Sequence, residues 1–356
     1  MSPPPGSVVV CGAGVMGASV AYFLARRGVA VTVVERLGVA CAASGRSGGF
    51  LALDWCDGSP LGPLARASFA LHAELARTIG IDYGYRRLDT FMLAAREQGS
   101  VRGGHRVAAP PWLDGAGVVT AALGSTETTA QVHPARFTAA LVEAAGARLR
   151  LGVIDEVVQR EGAARGVRVG GETLEADAVV VAMGPWSNRV AGVRLPRVRG
   201  LKGYSVILAG AAVPAHALFV DYRTADGRAL EPEIFPRPDG DVYVCGMADP
   251  APLPDAPDAV SVNDESCAVL ARAAGRVSSA LAGARITRRQ ACYRPVTDDN
   301  LPLIGRVPGL AGAFVATGHG PWGMLNAPAT GRALAELIVD GASSLVDLRP
   351  FDPARG

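Results

Sequence analysis

Gly12-Ala13-Gly14-Val15-Met16-Gly17 matches the GxGxxG pattern that brings backbone against a dinucleotide pyrophosphate. Glu35 stands about 20 residues further on, where a carboxylate accepts hydrogen bonds from an adenosine ribose. In this pattern the first glycine makes the turn, the second admits the pyrophosphate, and the third lets helix pack on strand. A helix start just behind them adds N–H donors and partial positive charge. A second stretch with chemical content lies near the other end. There an apolar strand, Phe314-Val315-Ala316-Thr317, runs into Gly318-His319-Gly320-Pro321-Trp322-Gly323-Met324.

The elements around the first motif support it. Val8–Cys11 is β-branched and short, like a buried parallel strand. Ala18–Arg27 has helical spacing and stops at Gly28, and Val29–Val34 is a second strand that ends at Glu35. Strand, glycines, helix, strand and acid in this order make a βαβ nucleotide site; a Gly-rich turn in another α/β protein is the bland alternative. Glu35 would repel the 2′-phosphate of NADP, but the motif alone does not separate NAD from FAD.

Three later stretches bear on that choice. The first is a small, polar loop, Ala42-Ala43-Ser44-Gly45-Arg46-Ser47-Gly48-Gly49-Phe50, followed by apolar Leu51–Leu53. It is able to wrap a pyrophosphate and carry a flavin ring on backbone; otherwise it is a surface loop with Arg46 solvated. The second begins with Ala147–Leu151 and Val153–Val158, read as a strand pair, and Gly166–Val169. Ala176–Ala182 then reads as a buried strand ending in Met183-Gly184-Pro185-Trp186, at the carboxyl edge where ligands bind in open α/β sheets, or as a plain turn after a core strand. The third is the Gly318–Met324 loop with a helix from about Asn326 to Val339, Pro328 in its first turn and Gly341 as its stop. A helix start aimed at a flavin pyrimidine edge favours the negative charge of the reduced ring.

Composition narrows the function classes. The 356 residues are enough for two domains, and 49% hydrophobic against 19% charged excludes disorder. A net charge of +2 without a charged tail gives no reason to expect nucleic acid or a membrane as partner. The six cysteines form no CxxC pair and read as free thiols in a reducing cytoplasm. Five scattered histidines argue against a metal site. The uncharged run Val8–Ala25 has no basic residue before it and is broken by glycines, so a targeting segment is rejected.

From Val8 to about Asp340 the chain resembles the FAD-dependent D-amino-acid oxidase superfamily, nearest to its glycine oxidase and sarcosine oxidase branch. The resemblance rests on the nucleotide motif with Glu35-Arg36, and on Tyr293-Arg294-Pro295, Leu303-Ile304-Gly305, Gly318-His319, Gly323 and Ala327-Pro328-Ala329-Thr330-Gly331. It implies an α/β fold: a discontinuous Rossmann-type FAD domain (1–83, 131–195 and 288–356) with an inserted antiparallel-sheet substrate domain (84–130 and 196–287). Within the insert, Ile234–Arg237 and Asp241–Val244 flank Pro238-Asp239-Gly240 as a hairpin, and Arg86–Leu93 and Tyr204–Leu208 are further strands.

The same resemblance implies site residues. FAD is expected against Gly12, Gly14, Val15, Met16, Gly17, Glu35 and Arg36, and against Ser44, Gly45, Arg46, Ser47, Gly48, Gly49 and Phe50. Ile154, Ala182, Gly184, Trp186 and Arg294 are expected to join them, as are Gly318, His319, Gly320, Gly323 and Met324. Arg294 matches the arginine that holds the substrate carboxylate, a task suited to a planar guanidinium, unless it bridges to Asp298 or Asp299. Arg294, His319 and Tyr204 are the expected catalytic residues, His319 with a plain loop role as alternative. Tyr204, Phe235, Tyr243 and Arg237 are candidates to line the pocket. Cys292 falls where sarcosine oxidases bond covalently to flavin; a packing role with non-covalent FAD is the expectation. Lys202, the only lysine, does not match the family's oxygen-activating lysine.

The implied reaction is oxidation of a C–N bond in an amino acid or secondary amine. Hydride passes to flavin N5, the imine hydrolyses, and O2 accepts the electrons to give hydrogen peroxide. The alternatives are a dehydrogenase with a quinone or carrier acceptor, and a flavin-binding regulatory or assembly protein without turnover.

Overall fold

The computed structural model describes residues 3–101 and 107–355; the outermost ends of the expected segments, at 1 and 356, lie outside them. The chain opens with β1 (Ser7–Cys11), α1 (Val15–Ala25), β2 (Ala30–Glu35), β3 (Phe50–Ala52) and α2 (Gly62–Thr78). Next come β4 (Arg86–Arg87), β5 (Asp89–Arg96), β6 (Val118–Gly124), β7 (Thr129–Gln131), α3 (Pro134–Ala145) and β8 (Arg148–Leu151). Strands β9 (Ile154–Arg160), β10 (Ala163–Val169), β11 (Glu172–Glu175), β12 (Ala178–Val181), β13 (Val198–Ala209) and β14 (His216–Arg223) follow. The rest is β15 (Ala229–Leu230), β16 (Glu233–Pro236), β17 (Val242–Asp249), α4 (Asp264–Val277), α5 (Ser279–Ala282), β18 (Arg285–Thr297), β19 (Leu303–Arg306), β20 (Ala313–Thr317) and α6 (Gly323–Asp340).

The first sheet has the order β19-β20-β12-β1-β2-β8 and is parallel except at β19. Its valine-rich strands are buried on both faces. Val8, Val10 and Val33 pack on helices α1, α3 and α6, while Val9, Val34 and Val179 pack on a small sheet of β9, β10 and β11. The second large sheet runs β18-β13-β17-β16-β14-β5-β6, antiparallel apart from β14 on β5, with α4 over one face. A third, short sheet of β3, β7 and β4 lies beside them. This is the expected α/β architecture, with the β16–β17 hairpin where the sequence places it.

Three details depart from the sequence reading. The two segments around 150 do not pair with each other. β8 extends the parallel sheet beside β2, Gly152 N–H donates to Glu35 O, and β9 then crosses to pair with β10, where Val157 is covered. Arg86–Arg87 belongs to the short sheet, because the chain changes sheets at buried Leu88. Two helices start early: α1 at Val15, and α6 at Gly323, which places Pro328 inside α6 rather than in its first turn.

An internal proline removes an N–H and displaces backbone bonds around it. Here α2 supplies the replacements. Ser68 Oγ accepts the Ala329 N–H at 3.0 Å, and His72 Nε2 lies 3.0 Å from Met324 O and 3.2 Å from Leu325 O. Both partners are carbonyls, so Nε2 carries the proton. Ser68 and His72 are four residues apart and share one helix face.

Candidate active site

A cleft of about 370 Å³ opens between the carboxyl ends of β1, β2, β12 and β20 and the inner face of the second large sheet. The three motif glycines have separate tasks in its wall. Gly12 has φ +105°, and a Cβ there would sit 2.6 Å from Ala182 O. At Gly17 a Cβ would come within 1.9 Å of Gly12 O, so this glycine lies behind the cleft and sets the helix–strand distance. Gly14 faces the cleft itself, with only Ser44 Oγ, at 3.1 Å, near its Cβ position. The first turn of α1 holds no acidic side chain, which leaves its positive end free for an anion. Glu35 is fixed at the same end, accepting the Ala13 N–H at 2.8 Å and the Leu37 N–H at 3.2 Å.

The polar loop after β2 is tied down rather than loose. Ser44 Oγ accepts the Val15 N–H at 2.8 Å, and Arg46 donates to Ala291 O at 2.8 Å. Tyr243 donates to Arg46 O at 2.8 Å, and Arg237 to Ser47 O at 3.0 Å. Ser44, Arg46, Ser47 and Gly48 line the cleft, as do Val15, Met16, Arg36, Ile154, Ala182, Gly184 and Trp186. His319, Gly320, Gly323 and Met324 close it from the α6 side.

Gly45, Gly49, Phe50 and Gly318 do not reach the cleft. A Cβ at Gly45 or Gly49 would press on the carbonyl of Ala40 or Val132, and one at Gly318 on the Thr297 methyl. Phe50 stacks on Phe235, with centroids 5.5 Å apart, in an aromatic cluster with Trp55 and Phe219. Phe235 therefore packs behind the wall, and so does Arg237, whose guanidinium lies over the Tyr243 ring while it holds the loop. Tyr204 and Tyr243 do line the cleft.

Arg294 lies over Gly203: a Cβ added there would be 3.3 Å from a guanidinium nitrogen. Neither aspartate competes for it, since Asp298 pairs with Arg199 at 3.0 Å and Asp299 with Arg355 at 2.9 Å. Among the described residues the Arg294 guanidinium has no protein acceptor, and it faces the cleft. His319 Nε2 bonds Thr330 Oγ1 at 3.1 Å, and burial holds the imidazole down to about 3, hence neutral. The Tyr204 hydroxyl donates to the Asp249 carboxylate; burial, then that bond, push the phenol up to about 12. Lys202 is buried behind it, with Nζ 3.2 Å from Ser261 Oγ and over the Tyr204 ring. Sequence reasoning passed over Gly203, Glu233 and Cys245, which also line the cleft. None of the three carries a local signal: two are small or sulfur-bearing strand residues, and an acid in a strand is ordinarily a solvated position.

Residues 7–337 match the family model for FAD-dependent oxidoreductases named DAO. The chain belongs to this family. A Schizosaccharomyces pombe protein named only as an oxidoreductase is 30% identical over 384 residues, 98% of this chain and 97% of that one. The glycine oxidase of Geobacillus kaustophilus is 28% identical over 98% of this chain and 96% of its own. The crystal structure of glycine oxidase from that organism superposes over the whole of both chains, with a TM-score of 0.82 at 26% identity. A D-amino acid dehydrogenase of Cereibacter sphaeroides is 36% identical over 220 residues, 59% of this chain and 46% of that one.

FAD is the cofactor of this DAO oxidoreductase, and the cleft fits it. Gly14 leaves open the approach to the start of α1, where the pyrophosphate would be held; Glu35, at the end of β2, would take the ribose, and the anchored loop lines the cleft beside them. Among the described residues there is no cluster of metal-ligating side chains, and no helix is long and apolar enough to cross a membrane.

Proposed function

We propose that this oxidoreductase oxidises the C–N bond of an amino acid or carboxylate-bearing secondary amine, with O2 as electron acceptor and hydrogen peroxide as product. The observation that carries the reading is the Arg294 guanidinium, turned into the FAD cleft without a hydrogen-bond acceptor among the described residues, the two nearby aspartates being held by Arg199 and Arg355. FAD, when bound, supplies the two-electron oxidising capacity that no side chain has. The chain supplies binding and orientation. Arg294 takes the carboxylate through a two-pronged fork, which fixes how the substrate presents its α-carbon. His319, neutral and tied to Thr330, shapes the pocket without carrying charge into it, whereas the Tyr204 ring, tied to Asp249, packs under α4 and borders the cleft only through its strand.

The 36% identity to a D-amino acid dehydrogenase favours a second reading in which a quinone or carrier takes the electrons. The glycine oxidase likeness, which runs over the whole chain, favours O2. Six free cysteines without a disulfide fit a reducing cytoplasm. We keep the division into FAD segments (1–83, 131–195, 288–356) and substrate segments (84–130, 196–287), supported by the two large sheets, although β18 runs through the last boundary.

Arg294 variants test the reading. Losing one partner of a desolvated charge pair costs several kcal/mol, so Arg294→Ala should raise KM for carboxylate substrates by about a hundredfold or more. Arg294→Lys should fall between, because a point charge does not reproduce the fork. Flavin content should stay unchanged. Equal loss on amines without a carboxylate makes Arg294 structural and sinks the reading; peroxide release against dye reduction separates the two acceptors.

A further inference from the structure

Glu233 has no part in the reading so far, yet it faces the same cleft as Arg294. It stands on β16 opposite Cys245 of β17, whose thiol lies 3.4 Å from Oε2 and sets the direction of the carboxyl. On the other side its neighbour across the sheet is Phe219 of β14. The charged groups that bear on it are Arg294 of β18 and Glu231 in the preceding turn. Burial pushes the Glu233 carboxyl up and Arg294 draws it back down.

The sheet order fixes the spacing. β18, β13, β17 and β16 are neighbours, so the two backbones are three strand intervals apart across the sheet, roughly 14 Å; along it they are offset by four residues, since Arg294 pairs with Leu201 while Glu233 is level, through Cys245, with Ser205. Arg294 spans the first interval by lying over Gly203, and Glu233 reaches back across the last toward Cys245. What remains is about one interval across and two residues along, ~8 Å on the diagonal, floored by the small residues Gly203, Ser205 and Gly246. That gap takes a single α-amino acid laid with its two ends toward the two charges.

We propose that Glu233 is the amine half of the substrate site: Arg294 holds the α-carboxylate while Glu233 accepts a proton from the ammonium of the same molecule. The step rests on the amino-acid reading above. One N–H bond breaks and one O–H bond forms on the Glu233 carboxylate, leaving a neutral amine; no electrons are exchanged, and the proton returns to water when product leaves. The substrate class is thereby narrowed to α-amino acids with at least one N–H, primary or N-alkylated, and excludes quaternary betaines.

The test uses FAD-loaded protein and Glu233→Gln. Acetate, which has the carboxylate but no amine, is titrated by its effect on the visible spectrum of the bound flavin. Glycine, sarcosine, D-alanine and D-proline are then mixed without oxygen, and the rate of flavin bleaching is followed against pH. The expected result is acetate affinity within twofold of wild type and bleaching slowed about a hundredfold, the scale of a positioned base. The variant's bleaching should rise with pH only where the free amine itself ionises. Glu233→Asp should recover part of the rate, and it serves as the carrier of the test if the Gln variant loses flavin. An unchanged rate and pH profile in Glu233→Gln overturns the proposal, as does acetate binding weakened as much as bleaching, which would put Glu233 on the carboxylate. If wild type neither responds to acetate nor bleaches with any of the four, the amino-acid reading fails, and the proposal with it.

Discussion

Gly14→Val and Gly17→Ala should separate cofactor binding from folding, although the two glycines are three residues apart in one motif. Position 14 has φ −71° and ψ 173°, open to any residue, and only the Ser44 hydroxyl lies near its Cβ. Its helix-capping role is already lightened, because Ser44 Oγ holds the Val15 N–H. Valine there should cost the apoprotein about 1 kcal/mol at most. Its methyls, however, project into the space a pyrophosphate needs. Position 17 is the reverse case. The Cβ of alanine would stand 1.9 Å from Gly12 O, against about 3.3 Å for an ordinary C···O contact, so α1 must retreat by roughly 1.4 Å. Overpacking on that scale costs ~1–3 kcal/mol. FAD at a hundredfold its Kd adds ~2.7 kcal/mol to the wild type. Thermal unfolding of apo and FAD-loaded protein, with flavin absorbance per chain, reads both quantities. Gly14→Val should melt like wild type without FAD and gain nothing from it; Gly17→Ala should melt low even without FAD. A yellow Gly14→Val protein with the full FAD increment would falsify the assignment of that glycine to the cofactor.

Two further predictions concern pH and attachment. Burial holds His72 and His133 down to about 4 and His319 to about 3, below the ordinary 6.5, so the unfolded chain binds more protons and stability is full above pH 6.5 but falls as pH drops toward 4. His72→Leu should flatten part of that slope and cost ~2–3 kcal/mol by stranding the Met324 and Leu325 carbonyls; melts with an unaltered slope would refute it. FAD should come away from the denatured chain, because burial pushes the Cys292 thiol up and leaves little thiolate to form a bond. A denatured chain heavier by one FAD in a mass spectrum would reverse this.

The nucleotide end was legible because its requirement is an absence of side chains. Gly12 and Gly17 stand where a Cβ has no room, and at Gly14 a side chain would take the room a pyrophosphate needs, all of which a one-letter pattern carries. Partner choice was less legible. β8 and β9 are separated by two residues and look like a hairpin, yet β8 is claimed by β2 and β9 by β10, a competition that only the assembled layers settle. The start of α6 was misjudged for a related reason. Pro328 reads as a first-turn proline until Ser68 and His72, some 260 residues away in the chain, supply what the proline removes.

At the substrate end the meaning of a residue lies in its pairing. Arg294 had two rival aspartates in sequence and none in space, because Arg199 and Arg355 hold them. Glu233 carried no signal of its own, since an acid in a strand is normally a solvated position. Only the strand order brings it into the cleft with Arg294. The two ends are also joined mechanically. Arg46, Tyr243 and Arg237 fasten the cofactor loop to the second sheet through Ala291 O, Arg46 O and Ser47 O. The second large sheet thus sets the position of the loop that lines the FAD cleft. On the proposed reading, changes on β17 or β18 meant to alter substrate choice would act on cofactor placement as well, whereas a change at Glu233, which takes no part in those bonds, would act on the substrate alone.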